Sequence, residues 1–203
     1  MEYKGDKGCD YKSHPPLDHS KSAKDFRDMG IPVCKPYEAL LTNQFLANSY
    51  FTVRTFDLTT VDGRWTHTNA DGSECPCYGF LITHPEMGKM LYITDTELIK
   101  WRFKDINHIL LGVDYDKDLI DRDNAGKVNH VFRGHLSIDT ACDFVKANYS
   151  DSLQNVIMCH LSSENSDRDS FIEKMEKVAC GANVDVAAAG KSWDLKNPNE
   201  CPF

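Results

Sequence analysis

Two short apolar runs rich in β-formers, residues 78–82 and 90–93, stand on either side of Pro85-Glu86-Met87-Gly88. A glycine in so short a connection predicts a hairpin. The second run leads straight into Thr94-Asp95, which puts a carboxylate at the end of a buried strand. Residues 109–113 are continuously apolar and predict another buried strand. Residues 156–159 form one more, and it ends on His160. Ligand-type side chains at the ends of otherwise apolar strands are what a site on a rigid scaffold looks like in sequence. The remaining segments are read by how they support that arrangement.

In chain order, residues 1–12 lack periodicity and read as an irregular arm, and Pro15-Pro16 makes the next segment a loop. Ala23, Phe26 and Met29 recur at three-residue spacing before Gly30, predicting a helix over 20–29, with a short strand over 31–34 after it. Residues 37–46 read as a helix and 50–58 as a strand, while 59–74 form a polar loop carrying His67. Beyond the hairpin, the charged stretch 114–129 reads as a solvated connection. Ile138, Ala141, Cys142 and Val145 share a helix face over 136–148, opened by Ser137 as cap. A second helix over 169–179 turns Phe171, Ile172, Met175 and Val178 inward, a strand follows at 184–188, and 190–195 is an optional last strand. Residues 196–203 are a polar tail. Strands alternating with helices in the second half predict an α/β fold on a mixed sheet.

At 203 residues and 41% hydrophobic, the chain is sized for one domain with a sizeable core, here placed over 13–195. A net charge of -8 argues against long nucleic acid as a partner, since phosphate attraction needs clustered Lys and Arg. There is neither an apolar run of membrane-spanning length nor a signal-peptide pattern, so the expectation is no membrane contact and a cytoplasmic location. The eight cysteines are then read as reduced thiols, with Cys34, Cys142 and Cys159 inside apolar runs.

His14, Asp18 and His19 in one loop, with His67, Asp95 and His160 at loop or strand ends, form a set of imidazoles and carboxylates suited to zinc or another first-row divalent ion. Asp95 has a second use, as the N-cap of a helix over 97–101. Cys75-Pro76-Cys77 has one intervening residue, where zinc knuckles have two, and is read as packing. His84, His108 and His130 have no identifiable partners and are read as solvated, as is the acidic run 114–123.

On these residues the chain resembles the metallo-β-lactamase fold, in its ribonuclease Z-like phosphodiesterase branch. The first family motif, His-x-His-x-Asp-His ahead of a helix, is similar to His14-Pro15-Pro16-Leu17-Asp18-His19. His67 resembles the family's lone His, Asp95 its bridging Asp and His160 its last ligand. Gly134-His135-Leu136-Ser137 resembles the segment carrying an extra His in ribonuclease Z-like members. In size and motif wording the chain looks like small phage and bacterial cyclic-nucleotide phosphodiesterases of the anti-Pycsar type. The resemblance implies an αββα sandwich with mixed sheets, part of the N-terminal sheet missing because few residues precede the first motif. It also implies two zinc sites, with manganese or another divalent ion as an option. Metal ligands would be His14, Asp18, His19, His67, Asp95 and His160, and Asp18 and His135 would be catalytic. Asp18 would orient water, and His135 would stabilise the phosphoryl oxygens or protonate the leaving oxygen.

Pro16 stands where the family has its second His, which weakens the first metal site and alters the loop. Three readings follow: a metal-dependent hydrolase of a small phosphodiester or cyclic nucleotide; a degenerate relative that binds a nucleotide or partner without turnover; and a homodimer that covers strand edges left open.

Overall fold

A computed structural model describes residues 22–30, 33, 51–68, 72–120 and 132–196. The chain divides into two compact units, Met1–Val33 and Cys34–Phe203. In the first unit, α1 (Ala23–Asp28) carries a Lys24–Asp28 ion pair of 2.7 Å one turn apart. Its apolar residues are not a core face: Phe26 and Met29 are exposed. The segments expected over 1–19, 34–50 and 197–203, and His130, lie outside the described residues, as does most of the strand expected over 31–34.

The second unit is built on a six-stranded sheet in the order β1-β2-β3-β4-β5-β6. β1 (Thr52–Asp57), β2 (Tyr78–His84) and β3 (Gly88–Ile93) form an antiparallel meander. From β3 the pairing is parallel, through β4 (His108–Gly112), β5 (Asn155–Cys159) and β6 (Asn183–Val186). Parallel neighbours require crossovers. α2 (Ile138–Ala147) lies in the β4–β5 connection and α3 (Arg168–Ala179) in the β5–β6 connection, and the two helices pack together. Each opens on a real cap, Ser137 accepting from the Thr140 N–H and Asp167 from the Ser170 N–H. The expected strand over 190–195 does not form. There Lys191 and Trp193 instead donate side-chain hydrogen bonds to the Asp185 carboxylate.

Side-chain alternation decides where the core sits. Leu91, Ile93, Ile109, Leu111, Val156 and Met158 project from one sheet face and are fully buried with Ile138, Ala141, Val145, Phe171 and Met175 of the helices. The result is a mixed α/β fold in which three parallel strands, β3, β4 and β5, end side by side. One sheet lies among the described residues; the second sheet of the expected sandwich does not. No described helix is long and apolar enough to cross a membrane.

The hairpin turn is held by Asn107, whose Oδ1 accepts the Lys89 N–H while its own N–H donates to the Lys89 carbonyl. Next to Asn107, His108 is buried, not solvated as expected. Its Nε2 lies 3.0 Å from the Met87 carbonyl and its Nδ1 2.9 Å from Asn155 Nδ2, whose own Oδ1 accepts from Asn183.

Candidate metal centre

The residues after β3, β4 and β5 are Asp95, Asp114 and His160, each one or two positions beyond the last paired residue. The C-terminal edge of parallel strands is where α/β sheets place ligands, because the chain there leaves the ladder and can aim side chains freely. Asp95 and His160 both take left-handed backbone conformations, φ 52° and 60°. For residues other than glycine that conformation costs roughly 1–3 kcal/mol and collects at functional positions. The Asp95 N-cap reading falls, since residues 97–101 form no helix.

Ligand atoms of Asp95, His135 and His160 all lie within 4.8 Å of one another. Asp95 Oδ1 is 3.6 Å from His160 Nε2. Behind the pair stands Asp114, a residue that sequence reasoning assigned to a solvated acidic run and that is in fact buried. Its Oδ1 accepts from His160 Nδ1 at 2.7 Å. The same oxygen is 2.9 Å from His135 Nδ1, an ion-pair contact less well aligned than the His160 bond. Burial pushes the Asp114 carboxyl up, but the contacts from His135 and His160 outweigh it and hold the group below its ordinary value. A carboxylate accepts only, so it draws the ring proton to Nδ1 and leaves Nε2 as a lone pair. Asp116, from the same acidic run, is also buried and pairs with Lys174 at 2.6 Å.

His67 is buried in the loop before β2, where its Nδ1 lies 3.0 Å from the Gly134 carbonyl. Its ring meets that of His135 edge-on, centroids 5.6 Å apart, and His135 stacks on His160 at 6.0 Å. The loop is tied to the Asp95 segment by the Glu97 N–H donating to the Thr66 carbonyl and by a Thr66–Thr96 hydroxyl contact. The structure therefore gathers His135 with Asp95 and His160 and sets His67 beside them. His14, Asp18 and His19 lie outside the described residues. His135, expected to stabilise the phosphoryl oxygens or protonate the leaving oxygen, stands in the ligand cluster.

One carboxylate and two imidazoles, each offering one ligand atom, are the donor set of a divalent-ion site. Bonds of about 2 Å allow ligand atoms up to about 4 Å apart, so the cluster needs at most a small closing movement to hold an ion. The ligand group contains no thiol. Burial pushes Cys77 and Cys159 up to about 12, and the Asp95 charge adds to it at both, after that of Asp114 at Cys159. Cys75, Cys77, Cys142, Cys159 and Cys180 are all free.

No family model matches the chain, and no curated protein matches it. Solved structures do. One is Igni18, a novel metallo hydrolase from the hyperthermophilic archaeon Ignicoccus hospitalis KIN4/I, with 15% identity and a TM-score of 0.53 over 88% of this chain and 75% of that one. Another is the isothiocyanate hydrolase from Delia radicum gut bacteria, with 12% identity and a TM-score of 0.50 over 91% of this chain and 76% of that one. At such identities the likeness shows the fold, and the fold is the metallo-β-lactamase-like α/β arrangement that the motifs implied.

Proposed function

We propose that this chain is a divalent-metal hydrolase acting on a small phosphodiester, a cyclic nucleotide among the candidates, in the manner of the ribonuclease Z-like and anti-Pycsar enzymes it resembles. The observation that carries the reading is the Asp95–His135–His160 cluster, with Asp114 behind both imidazoles. Asp95, His135 and His160 would hold an ion, zinc by the donor set, with His67 beside them. A divalent cation there supplies a Lewis acid that acidifies water and neutralises charge on a phosphoryl oxygen. Asp114 keeps both rings in the ligating tautomer. Asp95, held at its strand end in a left-handed turn, offers its carboxylate toward His160. The small-substrate preference follows from the acidic charge of the chain, and a cytoplasmic location belongs to the same proposal.

The test is metal content together with turnover of bis(p-nitrophenyl) phosphate and of cyclic nucleotides. Stoichiometric metal, with hydrolysis abolished in Asp95→Ala, supports the proposal. Protein that takes up no divalent ion and turns over neither substrate overturns it. Pro16 favours a second reading, binding without turnover. In that case Pro16→His raises metal affinity, and the unaltered chain binds a nucleotide without cleaving it.

A further inference from the structure

His135 sits in a four-residue turn, Arg133-Gly134-His135-Leu136, that is pinned from two sides. From one side, Thr68 Oγ1 donates to the Arg133 carbonyl at 2.9 Å and His67 Nδ1 meets the Gly134 carbonyl at 3.0 Å. From the other, the Asp114 N–H donates to the Leu136 carbonyl at 2.9 Å and the Leu136 N–H reaches Asp114 Oδ2 at 3.3 Å. A carbonyl only accepts, so the bond to Gly134 places the His67 proton on Nδ1 and frees its Nε2. Gly134 is buried, and a Cβ there would stand 2.7 Å from His67 Nδ1 and 3.2 Å from its Cε1. Real Cβ atoms do not approach so closely, and the ring, fixed by its own hydrogen bond, has no flexible end to yield.

We infer that Gly134 is a positioning residue for His67: its carbonyl selects the tautomer, and its missing side chain is the space in which the ring stands. One turn thereby sets two imidazoles, His67 through the Gly134 backbone and His135 through its own side chain. The inference rests on the metal reading above, but it concerns a residue that contacts no ion. Gly134→Ala displaces the His67 ring, and since the added methyl acts only through that ring, its effect vanishes when the ring is removed.

The experiment is a cycle of Gly134→Ala, His67→Ala and the double variant, read by Zn2+ titration against a chromophoric chelator and by thermal melting. It is joined by 15N imidazole spectra of the unsubstituted metal-free protein. Expected results are a proton on His67 Nδ1, Zn2+ binding weakened about 10–100-fold in Gly134→Ala, and a double variant binding no worse than His67→Ala. The double variant should also melt above Gly134→Ala, which keeps the test decisive if the single variant folds poorly. An Nε2 proton on His67, unchanged Zn2+ affinity in Gly134→Ala, or additive losses in the double variant overturns the inference while leaving the metal reading intact. Absence of Zn2+ uptake by the unsubstituted protein overturns the metal reading, and the positioning role with it.

Discussion

His160 donates its Nδ1 proton to Asp114 across 2.7 Å while its Nε2 stays 3.6 Å from Asp95. One imidazole thus lies between two carboxylates with different jobs: Asp114 is buried at the end of β4 and orients the ring, and Asp95 faces the same space as Nε2. Under the proposed function, such an arrangement would make metal affinity depend on Asp114, which lies behind the ligand group.

Asp114→Asn is the direct test of that dependence. The amide keeps the volume and removes the charge that holds the proton on Nδ1 of both His135 and His160. Zn2+ affinity should fall about 10–100-fold, measured by chelator competition, with circular dichroism showing the fold retained. Unchanged affinity would mean the rings are oriented by other contacts.

Gly88→Ala should destabilise the hairpin. Gly88 has φ +76°, and a Cβ there would lie 2.2 Å from Asn107 Oδ1. Asn107 cannot retreat without releasing Lys89, whose backbone it bonds twice. A cost of about 1–3 kcal/mol is expected, read as a lower denaturant midpoint. Gly63→Ala, at φ +91° with open space around the new methyl, carries the backbone strain without the clash and should cost less.

Phe171 and Phe26 make a matched pair for the core. Phe171 is fully buried between α3 and the sheet, and Phe26 on α1 is 48% exposed. Phe171→Ala should cost about 3–5 kcal/mol, whereas Phe26→Ala should stay within about 0.5 kcal/mol. Equal effects would show that the apolar spacing of α1 has a packing partner after all.

The hairpin, the buried strands and both helices α2 and α3 are legible because each carries a local signal: the glycine turn, an apolar run, or a periodic apolar face, with Ser137 ahead of the first. Asp95 and His160 were legible for a related reason, since a polar ligand residue directly after an apolar strand breaks the pattern. Asp114 carried the same signal after residues 109–113, but the acidic residues beyond it made the whole window read as solvated. The segment over 190–195 looked like a strand by composition, yet its Lys191 and Trp193 go to Asp185 through side chains, which no local pattern announces. Nor does any local pattern show that the Gly134 carbonyl, 67 residues from His67, decides which nitrogen of that ring is free. Long-range hydrogen bonds of this kind exist only after the strands have assembled.

His108 supplies a pH dependence that is independent of the candidate metal centre. Burial pushes its imidazole down, and hydrogen bonding to backbone carbonyls only partly offsets this. The neutral ring donates through Nε2 to Met87 and accepts at Nδ1 from Asn155, so protonation would turn the accepting nitrogen into a second donor facing an N–H. The sign follows from linkage. Below the unfolded value of about 6.5 the unfolded chain binds a proton that the folded chain refuses, so this contribution to stability is fully present above about pH 6.5. It declines as pH falls from there through the lower folded value. Urea unfolding between pH 7.5 and 5 should show this loss, and His108→Gln, less stable at pH 7.5, should show a shallower slope over the same window. An identical slope in the variant would place the pH dependence elsewhere.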